Sequence, residues 1–279
     1  MNELSGTPNF STEMNGAGGE PAQLATAAPL APRDIWTLRD LLLFFAFIPF
    51  ALLVSNLGGF VGYVTLRPFM HWRARMDSLP SNTLFLLTVQ SVFYLLVLVY
   101  LLLLARLLHH QPFWKSMGWS QPRARRTVPF LVGGAVLALV ITLAPPLLPD
   151  AEGFPLERLF TSRAASYAIG AFAIAVAPLV EELVFRGLLF AIFERAVGLR
   201  FAAGATALLF AGLHVPEYWH AWNHILMILV VGVVFSVARA RSGSLAPSVL
   251  LHIGYNTSMM AGLFLTTQHF RVLNVLSQH

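Results

Sequence analysis

Apolar residues in this chain are arranged in long continuous runs and lack the spaced pattern of amphipathic helices. About twenty consecutive apolar residues are enough to span the hydrocarbon core of a bilayer as an α-helix. Alternation with a period of two, which is typical of membrane β-strands, is absent. The pattern predicts an all-α polytopic membrane bundle of about seven to eight helices, from runs at about 41–64, 82–107, 128–148, 164–193, 201–215, 222–240 and 245–268.

The segments outside these runs predict domain boundaries and orientation. Residues 1–33 are rich in Gly, Pro, Ala and Thr and lack an apolar period, which predicts a disordered tail. Residues 34–279 then form a single transmembrane domain. The basic segment 106–126 is expected to be cytoplasmic, because positive charges accumulate on that side. If the helices alternate across the membrane from this cytoplasmic segment, three arginines lie on the opposite side, against the bias of positive charges: Arg67, Arg73 and Arg75. The alternative is therefore a re-entrant or interfacial first segment.

Composition narrows the chemistry that the chain can carry. Of its 279 residues, 57% are hydrophobic and 11% are charged, and the mean hydropathy is +0.68. Cysteine is absent, which excludes thiolate nucleophiles and thiolate metal sites. The net charge of +5 comes mainly from segments beside apolar runs, so we expect membrane lipid and no nucleic acid as a partner. Lys115 is the one lysine among 18 basic residues, an arginine bias that favours a bacterial inner (plasma) membrane protein.

Three charged residues interrupt the fourth run, although a charge at mid-membrane costs roughly 2.5–3.5 kcal/mol. Glu182 and Arg186 are four residues apart with the glutamate first, which is the favoured order for a helical ion pair. Glu181 is rotated by about 100° from Glu182 and has no cation at a matching position. A spare carboxylate in a low-dielectric site is a candidate general base. The alternative is that all three residues form a structural ion-pair cluster.

Neighbouring residues favour a packed bundle with room beside the glutamates. Pro178 lacks the backbone donor of an ordinary helix residue, which predicts a kink that admits water. Ala203, Ala207 and Ala211 recur at every fourth position, and such a face lets membrane helices approach closely. We therefore expect the packed bundle in the second half of the chain.

Two further polar sets lie downstream in apolar runs. Phe210 and His214 are four residues apart, and Pro216 predicts a helix end beside the histidine. His252 and Asn256 have the same spacing and would present an imidazole and an amide donor on one helix face. Such donors suit a developing oxyanion. A single histidine of this kind is more often a hydrogen-bonded core residue, but three polar sets in apolar helices together indicate a functional site.

These sets read "EELVFRG", "FAGLH" and "HIGYN" within about residues 160–260. In order and spacing they resemble the EExxxR, FxxxH and HxxxN motifs of the CPBP family. This family comprises CAAX-processing and bacteriocin-processing intramembrane endopeptidases, which are also called Abi proteins. Each motif is weak alone, and the combination is specific. The first half of the chain shows no motif of the family.

The resemblance implies a mechanism for the polar residues. Glu181 and His214 would together activate a water molecule. His252 and Asn256 would stabilise the oxyanion of the tetrahedral intermediate. This assignment agrees with the spacing argument, which leaves Glu181 without a partner on its own helix.

The resemblance also implies a supporting role for Glu182 and Arg186 as an orienting pair. It leaves the cofactor open, because members of the family are often labelled metalloproteases. Glu181, His214 and His252 would suit a zinc site in ligand type, although their spacing is not HExxH. The preferred interpretation requires no cofactor, since a glutamate–histidine dyad can polarise water without a metal.

We therefore expect an intramembrane endopeptidase that acts on membrane-associated, hydrophobic or lipid-attached peptides. Prenylated C-termini are substrates of eukaryotic relatives, whereas a bacterial chain favours a leader peptide or a membrane protein. One alternative is a non-cleaving peptide-binding or bacteriocin self-immunity protein of the same fold. Another is a proton-coupled transporter, which predicts paired broken helices in both halves.

Overall fold

The computed structural model describes residues 35–70, 79, 82–120, 124–143 and 159–273. The tail expected at 1–33 lies outside the described residues. The structure is 83% helical, and no strand occurs in the part of the chain that is described. The expected all-α class is therefore confirmed.

Ten α-helices form the described part of the chain. They are α1 (Leu38–Met70), α2 (Thr83–Leu103), α3 (Phe113–Ser116), α4 (Ala124–Leu143), α5 (Arg163–Ala175), α6 (Ala177–Glu182), α7 (Phe190–Val197), α8 (Leu199–Leu213), α9 (Trp222–Ser242) and α10 (Ala246–Thr266). Two π-helical segments connect them. The first, Leu104–Leu108, continues α2, and the second, Leu183–Leu189, joins α6 to α7.

Within the described residues, four helical stretches are long and apolar enough to cross a membrane, so the chain is an integral membrane protein. They are Leu38–Thr65, Thr83–Leu108, Arg163–Val197 and Trp222–Ser242. Two shorter apolar helices accompany them, Thr127–Leu143 and Leu199–Leu213. These six apolar helices and α10 correspond to the seven apolar runs, so the expected helical bundle is confirmed. The shortest of the seven, α8, has 15 residues and is about 22 Å long.

The first apolar run forms one continuous helix. α1 contains 33 residues and passes through Pro49 and the Gly58–Gly59 pair without interruption. A continuous helix does not turn back within the membrane, so the re-entrant alternative is wrong, and the interfacial alternative stays a prediction. The length of α1 explains why it continues through Pro49: the proline removes a single backbone hydrogen bond, and the bonds of the remaining turns keep the helix intact.

Glycines allow α10 to pack closely against α4. A Cβ atom built on Gly134 of α4 would overlap the carbonyl oxygen of Leu251 on α10. A Cβ atom on Gly254 of α10 would likewise overlap the carbonyl oxygen of Leu131 on α4. The two backbones therefore touch at reciprocal positions, as small residues permit in membrane bundles. This contact fixes the position of α10 along α4, and α10 carries His252.

Small residues also bring α8 and α9 together. Ala207 is 0% exposed, and a Cβ atom on Gly232 would lie 3.3 Å from both the Cα and the carbonyl oxygen of Ala207. Ala211, one turn further along α8, is also buried. The close approach expected from the alanine face is confirmed.

We predict that Gly254→Ala destabilises the protein by about 1–3 kcal/mol or more, because the added methyl group must push α10 away from α4. Gly262→Ala on the same helix is the matched control, since no atom lies within 4 Å of its Cβ position. We expect that control to be neutral or slightly stabilising. Thermal unfolding in detergent measures both, and equal midpoints would contradict the packing described.

Candidate active site

The two glutamates lie between two irregularities of the third long apolar span. The helix is interrupted at Val176, between α5 and α6, and Pro178 occupies the first turn of α6. The π-helical segment Leu183–Leu189 begins directly after Glu182. Proline has no N–H to donate to the preceding turn, which accounts for a break in the helix where Pro178 predicts a kink. π-helical turns of this kind are frequent at functional sites.

Glu182 and Arg186 form a fully buried ion pair. Arg186 Nη1 lies 2.9 Å from Glu182 Oε1, and both side chains are 0% exposed. The guanidinium also donates from Nη2 to the carbonyl oxygen of Gly232 at 2.8 Å and from Nε to Ser236 Oγ at 3.4 Å. Ser236 Oγ in turn lies 3.1 Å from Thr206 Oγ1 of α8. The pair expected from the spacing is present, and it joins the π-helical segment to α8 and α9.

Three aromatic rings surround the Arg186 guanidinium. Its Cζ atom lies 4.9 Å from the ring centroid of Phe210, 5.6 Å from Phe235 and 5.7 Å from Phe185. Rings at these distances stabilise a cation through their electron-rich faces, most effectively where water is excluded. Arg239 Nε donates to the backbone carbonyl of Arg186 at 3.0 Å. The three rings thus fix the position of the Arg186 guanidinium, and the hydrogen bond from Arg239 fixes the backbone of the π-helical segment.

Glu181 obtains its partners from other helices. The Tyr94 hydroxyl of α2 donates to Glu181 Oε1 at 2.5 Å. His252 Nε2 of α10 lies 3.8 Å from Glu181 Oε2. The Glu181 side chain is 20% exposed, in contrast to the fully buried Glu182. The adjacent carboxylates therefore occupy different environments, as their rotation about the helix axis requires.

The His252 imidazole links the two glutamates. Nδ1 lies 3.0 Å from Glu182 Oε1, while Nε2 faces Glu181. Because an ionised carboxylate only accepts hydrogen bonds, we assign a hydrogen to Nδ1. The ring is buried, with its centroid 4.8 Å from that of Phe235 and 5.9 Å from that of Phe210. Its orientation is therefore set by both hydrogen bonding and packing.

His214 lies at the C-terminal end of α8, where Pro216 predicts a helix end. Its Nδ1 is 2.8 Å from the carbonyl oxygen of Phe210, an acceptor, so Nδ1 carries a hydrogen and Nε2 faces away from this bond. The Phe210 ring lies 4.9 Å from the His214 ring and also faces His252. Among the described residues, His214 and Glu181 do not hydrogen-bond to each other directly.

Asn256 lies one turn beyond His252 on α10, as its spacing predicts. Its Nδ2 donates to the carbonyl oxygen of Ala173 at 2.7 Å, in the last turn of α5 before the interruption at Val176. An amide nitrogen carries two hydrogens, so a second donor remains for other acceptors.

Glu217, in the turn after α8, interacts electrostatically with both His214 and Glu181. Desolvation raises the pKa of Glu217, the charge of Glu181 raises it further, and His214 opposes both effects.

Comparison with known protein families finds a match for this part of the chain. Residues 163–258, about a third of the chain, are similar to the family described as type II CAAX prenyl endopeptidase Rce1-like, and we call them the Rce1-like segment. The segment contains all three motif sets, and α1 and α2 lie outside it.

A protein of Escherichia coli, described as "Uncharacterized 24.3 kDa protein", is similar to the chain. The two are 33% identical over 138 residues, which are 47% of this chain and 61% of that protein. The similarity thus covers less than two thirds of the relative. No solved structure matches the chain.

The Rce1-like segment does not bring together a three-residue metal site. Within the described residues, no group of three or more His, Asp or Glu side chains is arranged to hold a metal ion. Glu181, His214 and His252, the ligands of the zinc alternative, do not form such a group. His252 Nδ1 is instead directed to Glu182.

Sequence reasoning missed Tyr94 and Ser236. Tyr94 lies in an apolar run without a motif, and its sequence neighbourhood does not distinguish it from Tyr100 on the same helix. Ser236 lies in α9 on the same face as Gly232, one turn away, which is a weak signal of a polar contact.

We predict that Arg186→Leu destabilises the protein by about 3–5 kcal/mol, because it leaves the Glu182 carboxylate buried without its cation. Arg186→Lys is expected to be intermediate, since an ammonium cannot reproduce the forked contacts with Glu182, Gly232 and Ser236. Arg200→Leu, at an exposed position, serves as the control and should change stability by less than about 0.5 kcal/mol. Chemical unfolding in detergent measures all three, and an Arg186→Leu variant as stable as the control would contradict the role of the pair.

Proposed function

We propose that this chain is an intramembrane endopeptidase of the CAAX-protease type, which hydrolyses peptide bonds through a water molecule activated by Glu181. The observation that carries the proposal is the position of Glu181. Its carboxylate lies in the Rce1-like segment, bonded to Tyr94 through Oε1 and facing His252 with Oε2. It is the one carboxylate of the adjacent pair that no arginine neutralises at hydrogen-bonding distance.

Water activation in this proposal uses Glu181 and His214. In the proposed mechanism both side chains hydrogen-bond to the attacking water molecule. Glu181 accepts a proton from this water as the oxygen attacks the carbonyl carbon of the substrate. His214 orients the water through Nε2, because its Nδ1 is engaged with Phe210.

Charge on the tetrahedral intermediate is stabilised by α10. His252 Nε2 and the second amide hydrogen of Asn256 are the proposed donors to the oxyanion. Because Nδ1 of His252 is engaged with Glu182 Oε1, Nε2 is the ring nitrogen that would donate to the oxyanion, and it must carry a hydrogen to do so. When the intermediate collapses, the C–N bond breaks and the proton held by Glu181 passes to the leaving amine.

The membrane setting indicates the class of substrate. Helices that are apolar on their lipid-facing sides admit hydrophobic or lipid-attached peptides laterally and limit water to the few molecules at the site. The arginine bias favours a bacterial inner membrane, where a leader peptide or membrane protein is the expected substrate. We propose catalysis without a metal, since the glutamate–histidine arrangement supplies the base and the donors.

We predict that purified protein cleaves members of a quenched lipopeptide library in the presence of a zinc chelator. Glu181→Gln and His214→Ala should each lower kcat by about 10²–10⁴, the range of general-base catalysis. Glu194→Gln on α7 is the matched control for loss of a carboxylate, and its kcat should equal that of the wild type. Fluorescence release in detergent or lipid nanodiscs measures the rates.

Two results would contradict this function. Cleavage that the chelator abolishes would assign Glu181 and the histidines to a metal. Absence of cleavage by folded protein on every library member would favour a non-cleaving peptide-binding protein instead.

A further inference from the structure

We infer that Tyr94 of α2 is a positioning residue of the active site, which orients the Glu181 carboxylate so that Oε2 receives the proton of the attacking water. This inference rests on the proposed function. It adds to the catalytic residues a side chain that lies about 70 residues before the Rce1-like segment and outside all three motifs.

The hydrogen bond from Tyr94 gives the two oxygens of the Glu181 carboxylate different roles. Tyr94 donates its hydroxyl hydrogen to Oε1 at 2.5 Å, the short distance typical of an O–H donor to an ionised carboxylate. Oε2 then faces His252 Nε2 at 3.8 Å, the side on which α10 carries the proposed oxyanion donors. A carboxylate free to rotate would present either oxygen, and the tyrosine removes that freedom.

Tyr94 is itself held in place by α5. Its ring stacks on Phe172 with centroids 5.4 Å apart and planes inclined by 28°. The next residue, Ala173, accepts the hydrogen bond from Asn256. The last turn of α5 thus fixes both the tyrosine that orients the base and the asparagine proposed to bind the oxyanion.

Apart from Tyr94, none of the charged or ionisable groups that the structure describes near Glu181 hydrogen-bonds to its carboxylate, so none of them can orient it as Tyr94 does. Arg186 interacts with Glu181 only at long range, because its guanidinium is engaged with Glu182 and α9. Like-charged Glu217 acts from the turn after α8. His252 lies beyond hydrogen-bonding distance of Oε2. Among the described residues, Tyr94 is the hydrogen-bond donor to Glu181.

It follows that α2 completes the site. The three motifs bring the reacting groups together, but the carboxylate that acts as base is oriented by a helix without a family motif. Removing the hydroxyl should therefore affect the chemical step while leaving substrate binding and the fold intact.

Tyr94→Phe tests the inference, because it deletes the hydroxyl and keeps the ring that stacks on Phe172. We expect kcat to fall about 10–100-fold, as misplacement of a catalytic group does, with KM changed by less than about twofold. The thermal midpoint should stay close to that of the wild type. Tyr100→Phe is the matched control, since this residue lies on the same helix and its hydroxyl makes no hydrogen bond within the described residues. Its kcat should be unchanged.

Infrared difference spectra between wild type and Tyr94→Phe provide a readout that needs no substrate. We expect a displaced carboxylate band, which disappears when both proteins also carry Glu181→Gln. An unchanged band would overturn the hydrogen bond itself. Equal kcat values for Tyr94→Phe and wild type, or a parallel loss of kcat and thermal stability, would overturn the positioning role. Absence of cleavage by the wild type would instead overturn the proposed function.

Discussion

Burial of the Glu182–Arg186 ion pair is the constraint on which the rest of the site depends. Removing two ions from water costs several kcal/mol each, and this cost is offset only by close pairing and additional hydrogen bonds. Glu182 Oε1 therefore accepts hydrogen bonds from both Arg186 and His252. Arg186 also donates to a backbone carbonyl and to a serine hydroxyl of α9. These contacts fix the π-helical segment, α9 and α10 relative to one another.

Glu181, the second carboxylate beside this fixed pair, is not part of the ion pair and is the proposed general base. Because adjacent residues of a helix point in different directions, Glu181 is 20% exposed while Glu182 is fully buried. His252 connects the two glutamates, because Nδ1 hydrogen-bonds to Glu182 and Nε2 faces Glu181. The structural pair thus sets the position of a proposed oxyanion donor directly. Gly254, between His252 and Asn256, lets α10 approach α4 closely enough to hold that position.

Local rules predict part of this arrangement. Hydropathy predicts the helical class, the four-residue spacing predicts the Glu182–Arg186 contact, and Pro178 predicts the break before the glutamates. Spacing along one chain does not report which helices become neighbours, so Tyr94 could not be distinguished from Tyr100. The apolar pattern also left open whether the first run is re-entrant, whereas α1 is one continuous helix through Pro49.

The most direct test of the account compares Glu181→Gln with Glu182→Gln in the same preparation, because the substitutions are chemically identical and one residue apart. Peptide cleavage and thermal unfolding are measured for each variant. The account predicts that Glu181→Gln keeps the wild-type unfolding midpoint and loses cleavage, since a glutamine amide can still accept the hydrogen bond from Tyr94 but cannot accept a proton from water. Glu182→Gln should lower the midpoint strongly, because Arg186 is left buried without its anion. A stable Glu182→Gln variant, or a Glu181→Gln variant that cleaves at the wild-type rate, would contradict the account.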